Sequence, residues 1–423
     1  MALKLAIVGC GGMGLRHAFA YIELRKQFDT FELVAVCDRH EESANHVASE
    51  VETATGQRPD IYTDFDQMLA DIDDLAAIDI TTDTRMHHSF AIAAMKAGVS
   101  VLTEKPMGLT MRACREMAET ATQTGQVLSI GEQYRRDPMN RLTSALIKSG
   151  LIGKPGFAMK VSLSGGSALM HNTGWRALKS RAGSVIIEQG VHEADLLIYL
   201  LGNIKEVYSA TGLLTPQRVR QDMNPTLKQF YGHRVEDELG EDKNVEIDQE
   251  DTAMSTIKFD NGMIGQLTIT NASHGYGAGM NSIHGDKGTI LLPPTRTGKP
   301  PIVHIEGKDE PMSHKEMLDA VPDWTLDPIT ASFFGGETRM ASYDVEFEAI
   351  DRILVAIEFQ ELAEAIANNT AVEVGPEEGM QALGVIYGIL ESGLAGRHVA
   401  VSEIIDGSID EYQQPIDKEI GYA

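Results

Sequence analysis

Along the first 130 or so residues, short apolar runs alternate with stretches whose apolar positions recur every three or four residues. The runs are Leu3–Val8, Phe31–Cys37, Ala76–Thr81, Ser100–Thr103 and Val127–Ile130, which have the length and composition of strands buried on both faces. Between them, segments at about 12–27, 41–54, 64–72, 85–97 and 110–124 carry the helical period, and Gly98 and Gly125 stand where C-caps belong. Strands alternating with helices in this way predict an α/β fold built on a doubly wound parallel sheet.

After one more helix, at about 138–149, the texture changes. Gly150, Gly153 and Pro155-Gly156 mark a boundary, and strand-like segments follow at Phe157–Leu163, Val207–Thr211, Thr252–Phe259, Met263–Asn271, Ser282–His284 and Thr289–Leu292. Asp260-Asn261-Gly262 is a hairpin turn signal. Helices resume at about 346–368 and 376–395. The chain therefore reads as two domains. Residues 1–135 form the parallel α/β unit, and residues 136–423 form an α+β unit with a mainly antiparallel sheet and helices on one face. Two stretches, about 213–250 and 293–345, show no clear period and read as insertions. The first carries the acidic runs Glu236-Asp237-Glu238 and Glu241-Asp242-Lys243.

A length of 423 residues suits two domains. Lys and Arg number 36 against 62 Asp and Glu, and the resulting net charge of −26 repels phosphate backbones and anionic lipid. Nucleic acid and membrane are therefore not expected as partners, and any phosphate-bearing ligand has to be held locally. The three cysteines, Cys10, Cys37 and Cys114, have neither disulfide-framework nor zinc spacing and suit a reducing compartment. The apolar start is too short for a secretory leader, and no run is long enough to span a bilayer, so the expectation is a soluble, cytoplasmic protein.

Gly9-Cys10-Gly11-Gly12-Met13-Gly14 matches G-x-G-x-x-G between the first strand and the first helix. Its glycines permit a tight turn, close backbone approach to a pyrophosphate and close helix–strand packing, the fingerprint of a Rossmann dinucleotide site. Asp38 ends the next strand, 24 residues beyond Gly14. A carboxylate there accepts hydrogen bonds from the adenosine ribose and repels a 2′-phosphate, favouring NAD over NADP, while Arg39 beside it leaves dual use open. Glu104-Lys105-Pro106 follows the Ser100–Thr103 strand at the carboxyl edge of the sheet, where such folds bind ligands. Pro106 restricts Lys105 to extended geometry, so its ammonium can meet a substrate hydroxyl. The remaining expected cofactor contacts are Thr81 and His87, also near that edge. Farther on, Glu188, His192 and Asp195 have i, i+4 and i+3 spacing and can share one helix face, preceded by Trp175-Arg176. A histidine among carboxylates is a candidate general base. The spacing also suits a metal, but hydride transfer to NAD needs none, so no metal is expected.

Taken together, the terminal glycine motif, Glu104-Lys105-Pro106, Tyr134-Arg135-Arg136-Asp137-Pro138, Trp175-Arg176 and the Gly190-x-His192-x-x-Asp195 pattern resemble the glucose-fructose oxidoreductase / inositol dehydrogenase / rhizopine catabolism (Gfo/Idh/MocA) family. The similarity continues through Glu250-Asp251-Thr252, Gly285–Thr289 and the closing helices. The resemblance implies a second domain with a large open sheet that builds homodimers or homotetramers, and a carbohydrate held between nicotinamide and that sheet. It implies that Lys105 contacts the reacting hydroxyl, that His192 transfers its proton, and that Tyr134, Arg135, Trp175, Arg176 and Asp195 serve the substrate. Position 188 departs from the family pattern, which has Asp there. The extra methylene of Glu188 displaces the carboxylate by about 1.5 Å.

These features predict an NAD-dependent dehydrogenase acting on a secondary alcohol of a sugar, sugar derivative or cyclitol, with Lys105, His192 and Glu188 at its centre. An alternative is a glycoside-cleaving enzyme that oxidises its sugar transiently and returns the hydride. A third, non-catalytic nucleotide binding, sits poorly with an intact Lys105 and His192.

Overall fold

The computed structural model describes residues 2–166, 168–170, 174–221 and 243–422. Six strands form the first sheet: β1 (Leu3–Val8), β2 (Phe31–Cys37), β3 (Asp60–Tyr62), β4 (Leu75–Ile80), β5 (Ser100–Glu104) and β6 (Leu128–Gly131). They are all parallel, in the order β3-β2-β1-β4-β5-β6. The order reverses direction between β1 and β4, which opens a crevice at the carboxyl ends of these two strands. Helices α1 (Gly12–Arg25), α2 (Glu41–Thr55), α3 (Phe65–Asp71), α4 (Thr84–Lys96) and α5 (Met111–Thr124) make the crossovers. Thr110 caps α5 through its hydroxyl, and Gly56 and Gly125 close α2 and α5 in left-handed geometry. The short edge strand β3 is not evident in the apolar pattern, because its three residues are only partly covered.

Helix α6 (Pro138–Lys148) leads into the second sheet. Its members are β7 (Pro155–Leu163), β9 (Ile204–Gly212), β12 (Thr252–Phe259), β13 (Ile264–Thr270), β14 (Ala278–Gly285), β15 (Gly288–Leu291), β16 (Ile302–Ile305) and β17 (Val399–Ala400). The order is β16-β15-β14-β7-β13-β12-β9-β17, antiparallel throughout except where β7 lies parallel to β13. The Asp260–Gly262 turn joins β12 to β13 as its sequence indicates, with Gly262 at φ 86°. Alternation along the strands buries Ala253, Ile257, Leu267 and Ile269 on one face. Each large aliphatic residue buried there contributes about 1.5–3 kcal/mol. Two helices cover that face: α8 (Val185–Leu201), which follows the short α7 (Lys179–Ala182), and the helix Pro376–Ala395. Gly190 lets α8 approach closely, since a Cβ there would meet Ile386 Cδ1 at 2.8 Å and Ile269 Cδ1 at 2.9 Å.

Both insertions have more structure than their sequences suggest. The described ends of 213–250 form β10 (Gln217–Gln221) and β11 (Asn244–Glu246), which join β8 (Ala168–Met170) in a small sheet. Its base is tied by the buried Arg218–Asp251 ion pair at 2.9 Å. The acidic runs at 236–238 and 241–242 lie outside the described residues. The 293–345 stretch contributes β16 and the helices His314–Ala320 and Pro328–Phe333. Helix Phe347–Asn368 returns to the first sheet, where Ile350, Leu354 and Phe359 join Leu5, Ile7, Leu15 and Phe31 in one core. Among the described residues, no helix is long and apolar enough to cross a membrane.

Candidate active site

A cleft of 460 Å³ lies at the carboxyl edge of the first sheet. It runs from the glycine turn, past the ends of β4 and β5, to α8. Gly9, Gly11, Gly12 and Met13 line one end, and Gly9 adopts φ 99°. Gly14 lies beneath them: a Cβ on it would stand 2.0 Å from the Gly9 carbonyl oxygen. The turn is fixed from two sides. The Thr81 hydroxyl donates to Gly9 O at 2.6 Å, and Cys10 N donates to Asp38 Oδ2 at 2.7 Å. Asp38 also accepts from His40 N at 2.9 Å, and Arg39 lies beside it at the cleft wall. This cradle suits a dinucleotide: a glycine turn opening a helix for the pyrophosphate, and a strand-end carboxylate for the ribose.

Lys105 sits midway along the cleft and donates from Nζ to the Glu188 carbonyl oxygen at 3.0 Å. An ammonium has three donors, so this contact aims the group and leaves others to spend. Behind it, Glu104 receives Lys105 N at 3.0 Å. It also faces His17 Nε2 at 3.1 Å, while His17 Nδ1 meets Asp79 at 2.9 Å. Burial opposes charge on His17, but the flanking Asp79 and Glu104 carboxylates outweigh it and raise its pKa to about 10. Burial likewise opposes charge on Glu104, and the His17 contact overcomes it, bringing the carboxyl down to about 2. The buried His17 bridge thus ties α1 to β4 and β5 directly beneath Lys105. His87 lines the cleft with Nδ1 at 2.9 Å from the Pro106 carbonyl oxygen, and burial lowers its pKa.

On α8, Glu188 and His192 both face the cleft. Glu188 accepts from Arg176 Nε at 3.1 Å, and the Arg176 guanidinium lies 5.1 Å from the Trp175 ring centroid. Trp175 lines the same wall, and its indole N–H has no hydrogen-bond partner among the described residues. His192 Nδ1 lies 2.6 and 2.8 Å from the two oxygens of Glu132, while the Tyr134 ring stacks on the imidazole at 4.3 Å. Asp195 points the other way and receives Arg135 Nε at 2.9 Å, in a pair that is 1% and 5% exposed. Arg135 and Asp195 therefore brace α8 from behind, out of the cleft.

The sequence matches an oxidoreductase family, NAD-binding Rossmann fold, over residues 3–132, and that family's C-terminal alpha/beta domain over residues 144–401. The chain belongs to this Gfo/Idh/MocA oxidoreductase family. It is thus an NAD-binding enzyme. It is 28% identical to a levoglucosan dehydrogenase of Pseudarthrobacter phenanthrenivorans over 69% of this chain and 73% of that one. It is 26% identical to a scyllo-inositol 2-dehydrogenase (NAD(+)) of Bacillus subtilis over 76% and 80% of the two chains. Among solved structures, a levoglucosan dehydrogenase in complex with NADH superposes with a TM-score of 0.73 at 22% identity, covering 95% of this chain and 99% of the other. An NAD binding oxidoreductase from Klebsiella pneumoniae does so with a TM-score of 0.75 at 22% identity and the same coverage.

Within this Gfo/Idh/MocA frame, several residues in the cleft or directly behind it carry no signal in the sequence. Glu132 stands at the carboxyl end of β6, a location that could have singled it out, but nothing nearby in the chain pairs it with His192. Arg296, from the 293–345 stretch, reaches the cleft from a backbone at φ 59°. Its guanidinium donates to Asp351 at 2.6 Å, as does Arg16 Nε at 2.9 Å.

Proposed function

We propose that this enzyme oxidises a secondary alcohol of a sugar, sugar derivative or cyclitol. The observation that carries the reading is the convergence of Lys105, His192 and the Gly9–Gly14 cradle on one cleft. Residues Gly9, Gly11, Gly12, Met13 and Asp38 would hold NAD, with Arg39, Thr81, His87 and Glu104 at the cradle's edges. Bound NAD supplies the hydride acceptor. Lys105, steadied by the Glu188 carbonyl, donates a hydrogen bond to the reacting hydroxyl oxygen and favours its alkoxide. His192, with Nδ1 engaged by Glu132, takes the hydroxyl proton on Nε2. Positioned proton transfer of this kind is worth about 10² to 10⁴ in rate. Trp175 offers a ring face and an indole N–H to a sugar, the amphipathic pairing that suits polyhydroxylated ligands. Arg176 presents its guanidinium beside it, and Tyr134 closes the site by stacking on His192.

The names of the two curated relatives support a carbohydrate or cyclitol substrate, as does the sequence resemblance. The same reading takes the enzyme to be a cytoplasmic homodimer or homotetramer assembled through the open sheet. Lys105→Ala tests the chemistry: NADH formation falls below about 1% of wild type while NAD binding, followed by fluorescence titration, is retained. Undiminished turnover in that variant would remove Lys105 from the reaction.

A further inference from the structure

Helix α8 gives His192 three carboxyl neighbours of its own, and none of them takes the ring. Glu188 is turned to Arg176 at 3.1 Å, Glu193 to Lys160 Nζ at 2.5 Å, and Asp195 to Arg135 Nε at 2.9 Å. The partner comes instead from the end of β6. Both oxygens of Glu132, a residue 2% exposed, lie within 2.8 Å of Nδ1. The backbone on either side of Glu132 is fixed: its N–H donates to Ile130 O at 2.8 Å, and its carbonyl accepts from Arg136 Nη1 at 2.9 Å. With Tyr134 stacked on the ring face at an interplanar angle of 14°, the imidazole is held by edge and by face.

We propose that Glu132 is the positioning carboxylate of the proton-transfer site, acting through His192, and that Glu188 is released to the substrate side with Arg176. This rests on the reading of His192 as the proton acceptor. A carboxylate on Nδ1 fixes the proton there, leaves the Nε2 lone pair to the cleft, and stabilises the imidazolium that forms when a proton arrives. A histidine needing only a buried hydrogen bond is served by a carbonyl, as His87 is by Pro106. A carboxylate taken out of water costs several kcal/mol unless a charge opposes it, so its use here fits a ring that becomes cationic. Glu132 and Glu188 thereby divide between them two tasks, holding the base and meeting the substrate.

Other charged groups lie near the ring: Glu104 and Lys105 at the end of β5, with Lys105 Nζ on the Glu188 carbonyl one turn before His192, and Arg296 over the Tyr134 ring. The carboxyls of α8 itself are each engaged by a cation. The test must therefore separate Glu132 from them. In ¹⁵N-histidine-labelled protein with NAD bound, and with His192→Gln used for assignment, neutral His192 is expected to carry its proton on Nδ1. In Glu132→Gln, the Nε2–H tautomer rises about tenfold, because the carboxylate that held the proton on Nδ1 is gone. In Glu188→Gln, the tautomer stays where it is.

With the sugar that yields most NADH in a wild-type panel, Glu132→Gln lowers kcat about 100-fold with little change in KM. Glu132→Asp, which keeps the charge, recovers part of that loss. A wild-type ring protonated on Nε2 would overturn the proposal, as would a tautomer that changes with Glu188 and not with Glu132. The wild-type tautomer decides the matter even where Glu132→Gln does not fold. A panel in which no sugar reduces NAD would count against the dehydrogenase reading and leave the ring measurement standing.

Discussion

Gly14 shows how much of the cofactor site is set by single residues. A methyl group there would sit 2.0 Å from the Gly9 carbonyl oxygen, inside any van der Waals contact. Gly14→Ala must therefore push α1 away from the turn, and NAD affinity is expected to fall at least about tenfold by calorimetric titration, since the helix N-terminus no longer meets the pyrophosphate. His17 gives a prediction in pH. Its folded pKa of about 10 lies above the ordinary histidine value of about 6.5, so folding takes up a proton across that window. The stabilisation is complete below about pH 6.5 and is lost as pH rises through about 10. Thermal unfolding of wild type should therefore show Tm falling between pH 7 and 10, and His17→Gln should flatten that slope. An unchanged slope in the variant would mean that His17 is not the group responsible. At this scale the sequence was most informative where chemistry and chain position coincide: the glycine turn, Asp38, Lys105 and His192 all line the cleft. Glu132 was not legible, because its partner lies 60 residues away and only the folded chain brings them together.

At the level of elements, apolar runs disclosed the strands that are buried on both faces or alternate cleanly. They did not disclose β3, which has three residues, or β16, which lies within a polar stretch. Helix Phe347–Asn368 was legible as a helix, but not where it would go. Its apolar residues run around most of its circumference, because it packs against α1 and the first sheet instead of the sheet that precedes it in the chain. Asp351 anchors that return by accepting from both Arg16 and Arg296. Asp351→Ala leaves two largely covered guanidinium groups without their shared carboxylate, at a cost of about 3 kcal/mol. Urea unfolding should show this as a lower midpoint with an unchanged slope. A loss below about 0.5 kcal/mol would mean that apolar packing alone docks the helix.

At the scale of the molecule, the second sheet leaves one face uncovered among the described residues. Strand register places Tyr208, Met254, Ile264, Phe157 and Met280 on that face, with Leu291 and Ile302 continuing it. All seven are more than a third exposed, from 37% at Leu291 to 58% at Met254. Exposed apolar residues gathered on one face in this way mark an interaction site, and a second copy of the chain is the partner the proposed function assigns to it. Met254→Asp with Ile264→Asp should convert the assembly to a 46.1 kDa monomer in light scattering, with the fold intact by circular dichroism. A wild-type monomer would remove the assignment. The chain carries a net charge of −26, and its glycine turn offers backbone to the cofactor, so cofactor binding does not require a basic surface. The central claim is that this cleft passes a hydride from a sugar or cyclitol alcohol to NAD. The most direct test incubates the purified enzyme with NAD and a panel of sugars, cyclitols and glycosides and follows the NADH absorbance band. The account predicts stoichiometric NADH formation with at least one free secondary alcohol, lost in Lys105→Ala. Aglycone release from a glycoside without net NADH, or no NADH from any alcohol, would contradict it.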